Sequence, residues 1–385
     1  MKIAFVRKAY TPYGGAERYL SQLMERLIVQ GHEVHLFAHR WEAQRPGEAP
    51  EEKGGPVFHR VPLIPSPSFL EALSFAFFAK RLLQEQAFDV IHSFERTLYQ
   101  DVYRAGDGCH REWLIQRRKI DPWVKRKTVA LNPLHRTLLF LERRLFQSPR
   151  LKKIVANSRR GKEEILRHYG VSPEKVEVVY NGVDLENFHP GNVTLFRKSL
   201  RKEFRIPPEA LVILFLGSGF RRKGLRALID SLPLIKKEIS QVMLIVAGRD
   251  GISEYREQAR RVGGERNVLF LGPTQRAKEL YATSDLFALP TIYDPFSNAC
   301  LEAMASGVPV LTTPTNGVAE LIEDGKNGFV VRDPLDAAEI GRRVLDFSLS
   351  PDRSLMGERA RQAVLSLDWN SVLTRMLRIY EEIRG

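Results

Sequence analysis

Two acidic residues, Asp294 and Glu302, stand with seven residues between them in the stretch Pro290 to Val310. Asp294 falls in a loop after an apolar run that reads as a strand, and Glu302 in the helix that follows. Both carboxylates can therefore face the carboxyl edge of a sheet, where α/β folds bind ligands. Carboxylates accept paired hydrogen bonds from vicinal hydroxyls, so a sugar or ribose suits them better than a phosphate. Ala303, Ala305 and Gly307 imply tight packing around Glu302. A second constellation is Gly217-Ser218-Gly219-Phe220-Arg221-Arg222-Lys223-Gly224, leading into a helix over Leu225–Leu232. Cations at a helix start oppose the helix dipole, so a bound anion is predicted there. A diphosphate fits, with Lys223 as a point charge and Arg222 as a fork. A third is Gly14-Gly15, between the first strand and a helix, where paired glycines let a phosphate approach free N–H groups. A plain strand-to-helix turn fits the same two residues.

The elements that must position these groups follow from hydrophobic patterning. Short β-rich apolar runs alternate with helical patterns from end to end, the sequence form of parallel α/β units. Strands are predicted at Ile3–Val6, Glu33–Phe37, Val57–Val61, Val90–Phe94, Val102–Ala105, Ile154–Ala156 and Val176–Tyr180, with helices at Ala16–Val29 and Pro67–Gln84. A second series runs through Leu211–Leu216, Met243–Ala247, Val268–Leu271, Leu286–Leu289, Val308–Thr312 and Phe329–Val331. Between the two, Asn181 to Pro207 shows no clear period and carries Pro190 and Gly191, so the domain boundary is placed there. The chain's 385 residues accommodate two domains, each with its own core. An amphipathic segment from Asn370 to Ile383 is expected to return to the first domain.

Composition excludes several classes. With 43% hydrophobic and 27% charged residues the chain is not disordered. Two cysteines, Cys109 and Cys300, build neither a disulfide framework nor a zinc site. No secretory leader is read at Met1–Val6, and Phe69 to Leu83 is too short and too charged to span a bilayer, so a cytoplasmic protein is expected. The formal charge is +13, from 59 Lys and Arg against 46 Asp and Glu. Of this, +10 lies between Arg104 and Lys153, with 14 basic and 4 acidic residues. There Trp113, Leu114, Ile115, Trp123 and Val124 sit among Arg117, Arg118, Lys119, Lys125, Arg126 and Lys127. Tryptophan beside cations suits an anionic membrane surface. A solvated basic face with the rings turned into the core is the alternative. No RRM, KH or zinc-finger pattern accompanies the charge, so no nucleic-acid partner is expected.

Taken together, Gly14-Gly15, Tyr180-Asn181-Gly182-Val183-Asp184, Arg222-Lys223-Gly224 and the Asp294/Glu302 pair resemble the retaining GT-B glycosyltransferases of family four. The paired acidic motif of that family usually opens with Glu, and here Asp294 is one methylene shorter. Asp101-Val102-Tyr103, Asp107-Gly108-Cys109, the Gly217–Gly224 loop and the basic Trp-containing region are similar to members that add glucose to an inner-core heptose of lipopolysaccharide.

The resemblance implies an α/β fold of two Rossmann-like domains facing across a cleft. Residues 1–182 would form the acceptor side, with a basic insertion at about 108–150, residues 183–369 the nucleotide-sugar side, and residues 370–385 the returning helix. It implies transfer of a hexose, glucose from UDP-glucose, with retention. Arg222 and Lys223 would neutralise the leaving diphosphate, Gly14, Gly15 and Gly217 would approach it, and Glu302 would bind the ribose. Asp294, Phe296, Ser297 and Asn298 would hold the sugar. Asp107 would orient or deprotonate the acceptor or lie near the anomeric carbon, with His110 as the other acceptor-side choice and a turn or helix-cap aspartate as the plain alternative. Asp107, Asp294 and Lys223 are thus the catalytic candidates. No metal and no cofactor are expected beyond the nucleotide sugar as co-substrate. The implied partners are an anionic glycolipid acceptor and, through residues 111–127, the inner face of the cytoplasmic membrane. The same chemistry on another glycolipid or an exopolysaccharide, and a non-catalytic scaffold, are the alternatives.

Overall fold

The computed structural model of the chain describes residues 1–10, 15–41 and 54–384. They divide into two compact units, Met1–Gly182 with Trp369–Gly385, and Val183–Asp368. In the first unit β1 (Lys2–Val6), β2 (Glu33–Ala38), β3 (Val57–Arg60), β4 (Val90–Ser93), β5 (Val102–Ala105), β6 (Lys153–Ala156) and β7 (Val176–Val178) form one sheet. Its order is β3-β2-β1-β4-β5-β6-β7. The second unit builds a sheet from β8 (Leu211–Leu216), β9 (Val242–Ala247), β10 (Val268–Gly272), β11 (Leu286–Ala288), β12 (Val310–Thr312) and β13 (Gly328–Val330). Its order is β10-β9-β8-β11-β12-β13. Every pairing between neighbouring strands is parallel.

Parallel strands joined by helices are covered on both faces, so they read as unbroken apolar runs rather than as alternating ones. Ile3, Ala4, Phe5 and Val6 have no exposed surface. Ile3 and Phe5 pack with Leu20 and Leu23 of the helix Gly15–Val29 and with Met376 and Tyr380 of the helix Trp369–Arg384. Ala4 and Val6 turn the other way, onto Phe75, Ala79 and Leu83 of the helix Ser68–Gln84. Period two along the strand thus sends successive side chains to opposite helical layers. The helix Trp369–Arg384 is joined to the first unit by polar contacts as well. Tyr380 Oη lies 2.7 Å from Nδ1 of the fully buried His92, and Lys153 pairs with Glu382 at 3.0 Å.

One helix, Asn192–Glu203, lies in the stretch where the sequence shows no clear period. Its apolar stripe is broken: Leu195 is 66% exposed, while Arg201 is buried instead. Arg201 supports that position by donating to the carbonyls of Pro208 and Ala210 and to Asp285 Oδ2 at 2.9 Å. A period search registers burial of apolar side chains and cannot anticipate a buried arginine. The basic region folds between β5 and β6 as the helices His110–Gln116, Trp123–Thr128 and Pro133–Phe146.

Candidate active site

In each sheet the chain reverses direction of growth between its first and fourth strands, which places a crevice at the carboxyl ends of that pair. In the second unit the pair is β8 and β11, and the loops that follow them carry the residues singled out above. After β8 the backbone turns at Gly217, whose φ of +145° favours glycine, and a Cβ there would sit 2.6 Å from Lys223 Nζ. The missing side chain lets Lys223 lie over the loop. Gly224 has φ of +81°, and a Cβ on it would lie 2.0 Å from the Pro290 carbonyl oxygen, so only glycine permits this approach of the two loops. Arg222 closes it further: its carbonyl accepts the Ile292 N–H at 2.8 Å, and its Nη1 donates to the Tyr293 carbonyl at 2.6 Å. Asp250 Oδ2 accepts the Phe220 N–H at 2.7 Å and that of Gly219 as well.

These contacts bring two cations to one carboxylate. Asp294 Oδ2 lies 3.5 Å from Arg222 Nη1 and 3.7 Å from Lys223 Nζ. The loop sequence predicts both cations at a helix start, with a bound anion alone as their compensation. The helix in fact begins at Leu225, after Gly224, so the cations precede it, and Asp294 supplies part of the compensation. The cluster keeps an excess of one positive charge.

The loop after β11 continues into the helix Asn298–Ala305, whose N-cap is Ser297, its Oγ accepting the Cys300 N–H at 3.4 Å. Asn316, from the loop after β12, accepts the Ser297 N–H at 3.2 Å through Oδ1 and donates through Nδ2 to Thr312 Oγ1 at 2.9 Å. Phe296 is buried and Asn298 half-buried. Glu302 is buried on this helix, its Oε2 3.1 Å from Tyr281 Oη, which also lies 3.0 Å from the Ala299 carbonyl. Burial pushes the Cys300 thiol up to about 12, so at neutral pH it is a packing group. Tyr281 and Asn316 were missed from the sequence. Asn316 had a signal, the turn-forming Pro-Thr-Asn-Gly run, whereas Tyr281 on its amphipathic helix had none.

The first unit places Asp107 in the turn Ala105–Gly108, directly after β5 and closed by the Gly108 N–H on the Ala105 carbonyl at 3.1 Å. Its side chain is 48% exposed, and its Oδ2 lies 3.3 Å from Arg7 Nη1. Arg7 follows β1, is mostly buried, and also meets Glu17 Oε1 at 2.8 Å and Glu95 Oε1 at 3.5 Å. One guanidinium is therefore shared by three carboxylates, and this hub was not foreseen from the sequence. Gly15 is exposed at the start of the helix Gly15–Val29, and Gly14 lies outside the described residues. Asp107 and Gly15 thus belong to the first unit, and Gly217, Arg222, Lys223, Asp294 and Glu302 to the second.

His110 is buried, with Nε2 3.2 Å from His135 Nδ1. Burial, with the Arg96 guanidinium adding to it, pushes its imidazolium down to about 4, so the ring is neutral at pH 7. His92 is a core residue against Tyr380. In the basic region Trp123 is 69% exposed and Val124 and Ile115 are exposed as well, while Trp113 is half-buried under Arg117. The reading in which both tryptophans turn into the core is not what the fold adopts. Among the described residues no helix is long and apolar enough to cross a membrane.

Residues 13–187 match the profile "Glycosyltransferase Family 4" and residues 196–363 the profile "Glycosyl transferases group 1". The chain belongs to the family-four glycosyltransferases, and its two Rossmann-like units carry the GT-B fold. It is similar to the lipopolysaccharide glucosyltransferase WaaG of Escherichia coli (strain K12), 25% identical over 366 residues that cover 94% of this chain and 93% of that one. It is also similar to the D-inositol 3-phosphate glycosyltransferase of Corynebacterium kroppenstedtii, 31% identical over 243 residues, 60% of this chain and 53% of that one. Among solved structures, a crystal structure of WaaG, described as a glycosyltransferase involved in lipopolysaccharide biosynthesis, superposes with a TM-score of 0.82 at 24% identity, covering 98% of this chain and 99% of that one. Anabaena Alr3699/HepE in complex with UDP and glucose gives a TM-score of 0.73 at 20% identity, covering 99% of each chain.

Proposed function

We propose that this chain is a retaining hexosyltransferase that moves glucose from UDP-glucose to a heptose of a lipopolysaccharide core at the inner face of the cytoplasmic membrane. The observation that carries the donor side is the convergence of Arg222, Lys223 and Asp294 at the first/fourth-strand crevice of the second sheet. A diphosphate seated there meets an excess positive charge held by short contacts. In the transfer, the bond from the anomeric carbon to the diphosphate oxygen breaks, a bond to an acceptor oxygen forms, and the acceptor hydroxyl gives up its proton. Charge therefore develops on the leaving diphosphate, and preorganised cations stabilise it most when they need not move. Lys223, lying over Gly217, and Arg222, anchored on Tyr293, meet that condition without a divalent ion. Gly217 lets the backbone approach the same phosphates.

Glu302 binds the ribose hydroxyls from the helix that Ser297 caps, and Asp294 with the backbone of Phe296 to Asn298 holds the sugar. Asp107 acts at the acceptor hydroxyl or beside the anomeric carbon, where a carboxylate stabilises positive charge. The exposed Trp123, Val124 and Ile115 among Arg118, Lys119, Lys125 and Arg126 suit docking on anionic lipid next to a glycolipid acceptor. The likeness to WaaG over nearly the whole chain supports this acceptor, and the complex of the Anabaena relative with UDP and glucose supports the donor.

The test follows nucleotide release from UDP-glucose, UDP-galactose, UDP-N-acetylglucosamine and GDP-mannose in the presence of EDTA, with and without a heptose-terminated lipopolysaccharide core. Turnover of UDP-glucose alone, raised by the core, is expected. Turnover of another donor would replace the sugar. Stimulation by an inositol phosphate in place of the core would replace the acceptor.

A further inference from the structure

Glu142 is a carboxylate with no exposed surface, on the helix Pro133–Phe146, and neither the donor contacts nor the Arg7 hub use it. What it binds is the segment that follows Asp107. Its Oε1 accepts the His110 N–H at 2.9 Å and the Arg96 Nε–H at 3.0 Å, and its Oε2 accepts the Arg111 N–H at 3.3 Å and the Tyr169 hydroxyl. The same guanidinium donates from Nη2 to the Gly108 carbonyl at 3.0 Å. Residues 108 to 111 are thus clamped through a carbonyl by Arg96 and through two N–H groups by Glu142. On the other side of the turn, Asn157 Nδ2 holds the Gly106 carbonyl at 3.1 Å. Asp107 is left as the half-exposed residue between two fixed carbonyls.

Four N–H and O–H donors on one side chain, with the Cys109 thiol 4.0 Å from Oε2 as a fifth and weaker one, require two acceptor oxygens and no proton, which a carboxylate offers and an amide does not. Taking that charge out of water is costly unless a cation and further hydrogen bonds surround it. A local cap would satisfy the helix His110–Gln116 at less cost, yet its N-cap residue, Cys109, makes no side-chain cap bond, and the acceptor comes from 32 residues away. The consequence of that arrangement is positional: beyond the local Gly108–Ala105 bond, the turn bearing Asp107 is registered against a helix distant in the chain.

The geometry points to Arg96 and Glu142 as a positioning pair for Asp107 in sugar transfer. This rests on the reading that Asp107 acts in the reaction. Neither residue touches substrate in this account.

The experiment is a double-mutant cycle on the full chain, with Asp107→Asn, Glu142→Gln and their combination, reading kcat and the KM for UDP-glucose. Glu142→Gln is expected to lower kcat about tenfold or more, with the donor KM unchanged, because the donor contacts lie in the other unit. On the Asp107→Asn background the same change is expected to cost less than about twofold, since groups that act as a unit are not additive. Losses that multiply, or a Glu142→Gln enzyme with undiminished kcat, would overturn the pairing and leave the role of Asp107 standing. An Asp107→Asn enzyme of full activity would overturn both, and that pattern is distinct. Should Glu142→Gln not fold, Arg96→Lys carries the same cycle. It keeps a cation beside Glu142 but loses the fork that reaches Gly108, and its loss of about threefold or more in kcat is expected to vanish on the Asp107→Asn background.

Discussion

The two sheets present the same topological position with opposite charge. After β8 and β11 two cations share one carboxylate, Asp294, and the cluster is left with one positive charge in excess. After β1, β4 and β5 one cation, Arg7, is shared by Glu17, Glu95 and Asp107, and the cluster is left with two negative charges in excess. The backbone solution is common to both, strands ending at a crevice with loops tied across it. What differs is the sign: the first cluster suits an anionic group, and the second suits a hydroxyl or a cation. Duplicated architecture thus leaves function to a handful of loop residues.

The largest test of this contrast removes the excess cation. Lys223→Ala is expected to lower kcat by about 10³ while the melting temperature holds, since its transition-state contribution is electrostatic. Near-normal nucleotide release would break the comparison at its donor end. At the other cluster, Asp107→Asn is expected to lower kcat about 10²-fold with the donor KM little changed, within the range of a positioned acid-base group. A rise in the donor KM instead would move Asp107 to the donor side.

Arg7→Met leaves three carboxylates facing one another without their shared cation, and a loss of about 2 kcal/mol in a denaturant titration is expected. Adding Glu17→Gln should recover part of it, which sharpens the claim that the excess charge is held there by Arg7. A smaller effect is the pH response of the first unit. Burial holds the His110 imidazolium down to about 4 in the folded state, below the usual 6.5, so the unfolded chain binds the extra proton between these values. Stability is then complete above about pH 6.5 and falls as pH drops toward 4, by about 1–2 kcal/mol at pH 5. A melting-temperature profile between pH 7.5 and 5 that is no flatter in His110→Asn would refute this. Smallest in stability is Trp123→Ser, expected within about 0.5 kcal/mol of the parent because the ring is exposed. Its signature is weaker flotation with anionic vesicles.

Several elements were legible because burial by layers leaves a plain trace. The runs Val102–Ala105 and Leu211–Leu216 end where their strands end, and the Asp294/Glu302 pair falls on a loop and a helix as spacing requires. Strand ends elsewhere differ by a residue or two, as at Val308, which precedes β12. The charged hubs were not legible. Arg7, Glu95 and Asp107 lie far apart in the chain and meet only because parallel strands end together, and no local pattern encodes that. The same holds for Arg96 with Glu142 and for Arg201 with Asp285. A buried ion pair is a product of topology, whereas an apolar run is a product of sequence.

The chain leaves the first unit at Gly182 and re-enters it at Trp369. During synthesis this sets an order of events. β1, β4 and the helix Gly15–Val29 emerge early, but the surface formed by Tyr19, His92 and Phe94 has no cover until Trp369, Met376 and Tyr380 arrive. At roughly 5–20 residues per second, that apolar face waits on the ribosome for roughly ten to forty seconds while residues 183–368 are made. The inserted unit has all of its strands in hand by then and can fold first. The host closes last, so a nascent chain stalled before residue 369 leaves that face of the first unit uncovered.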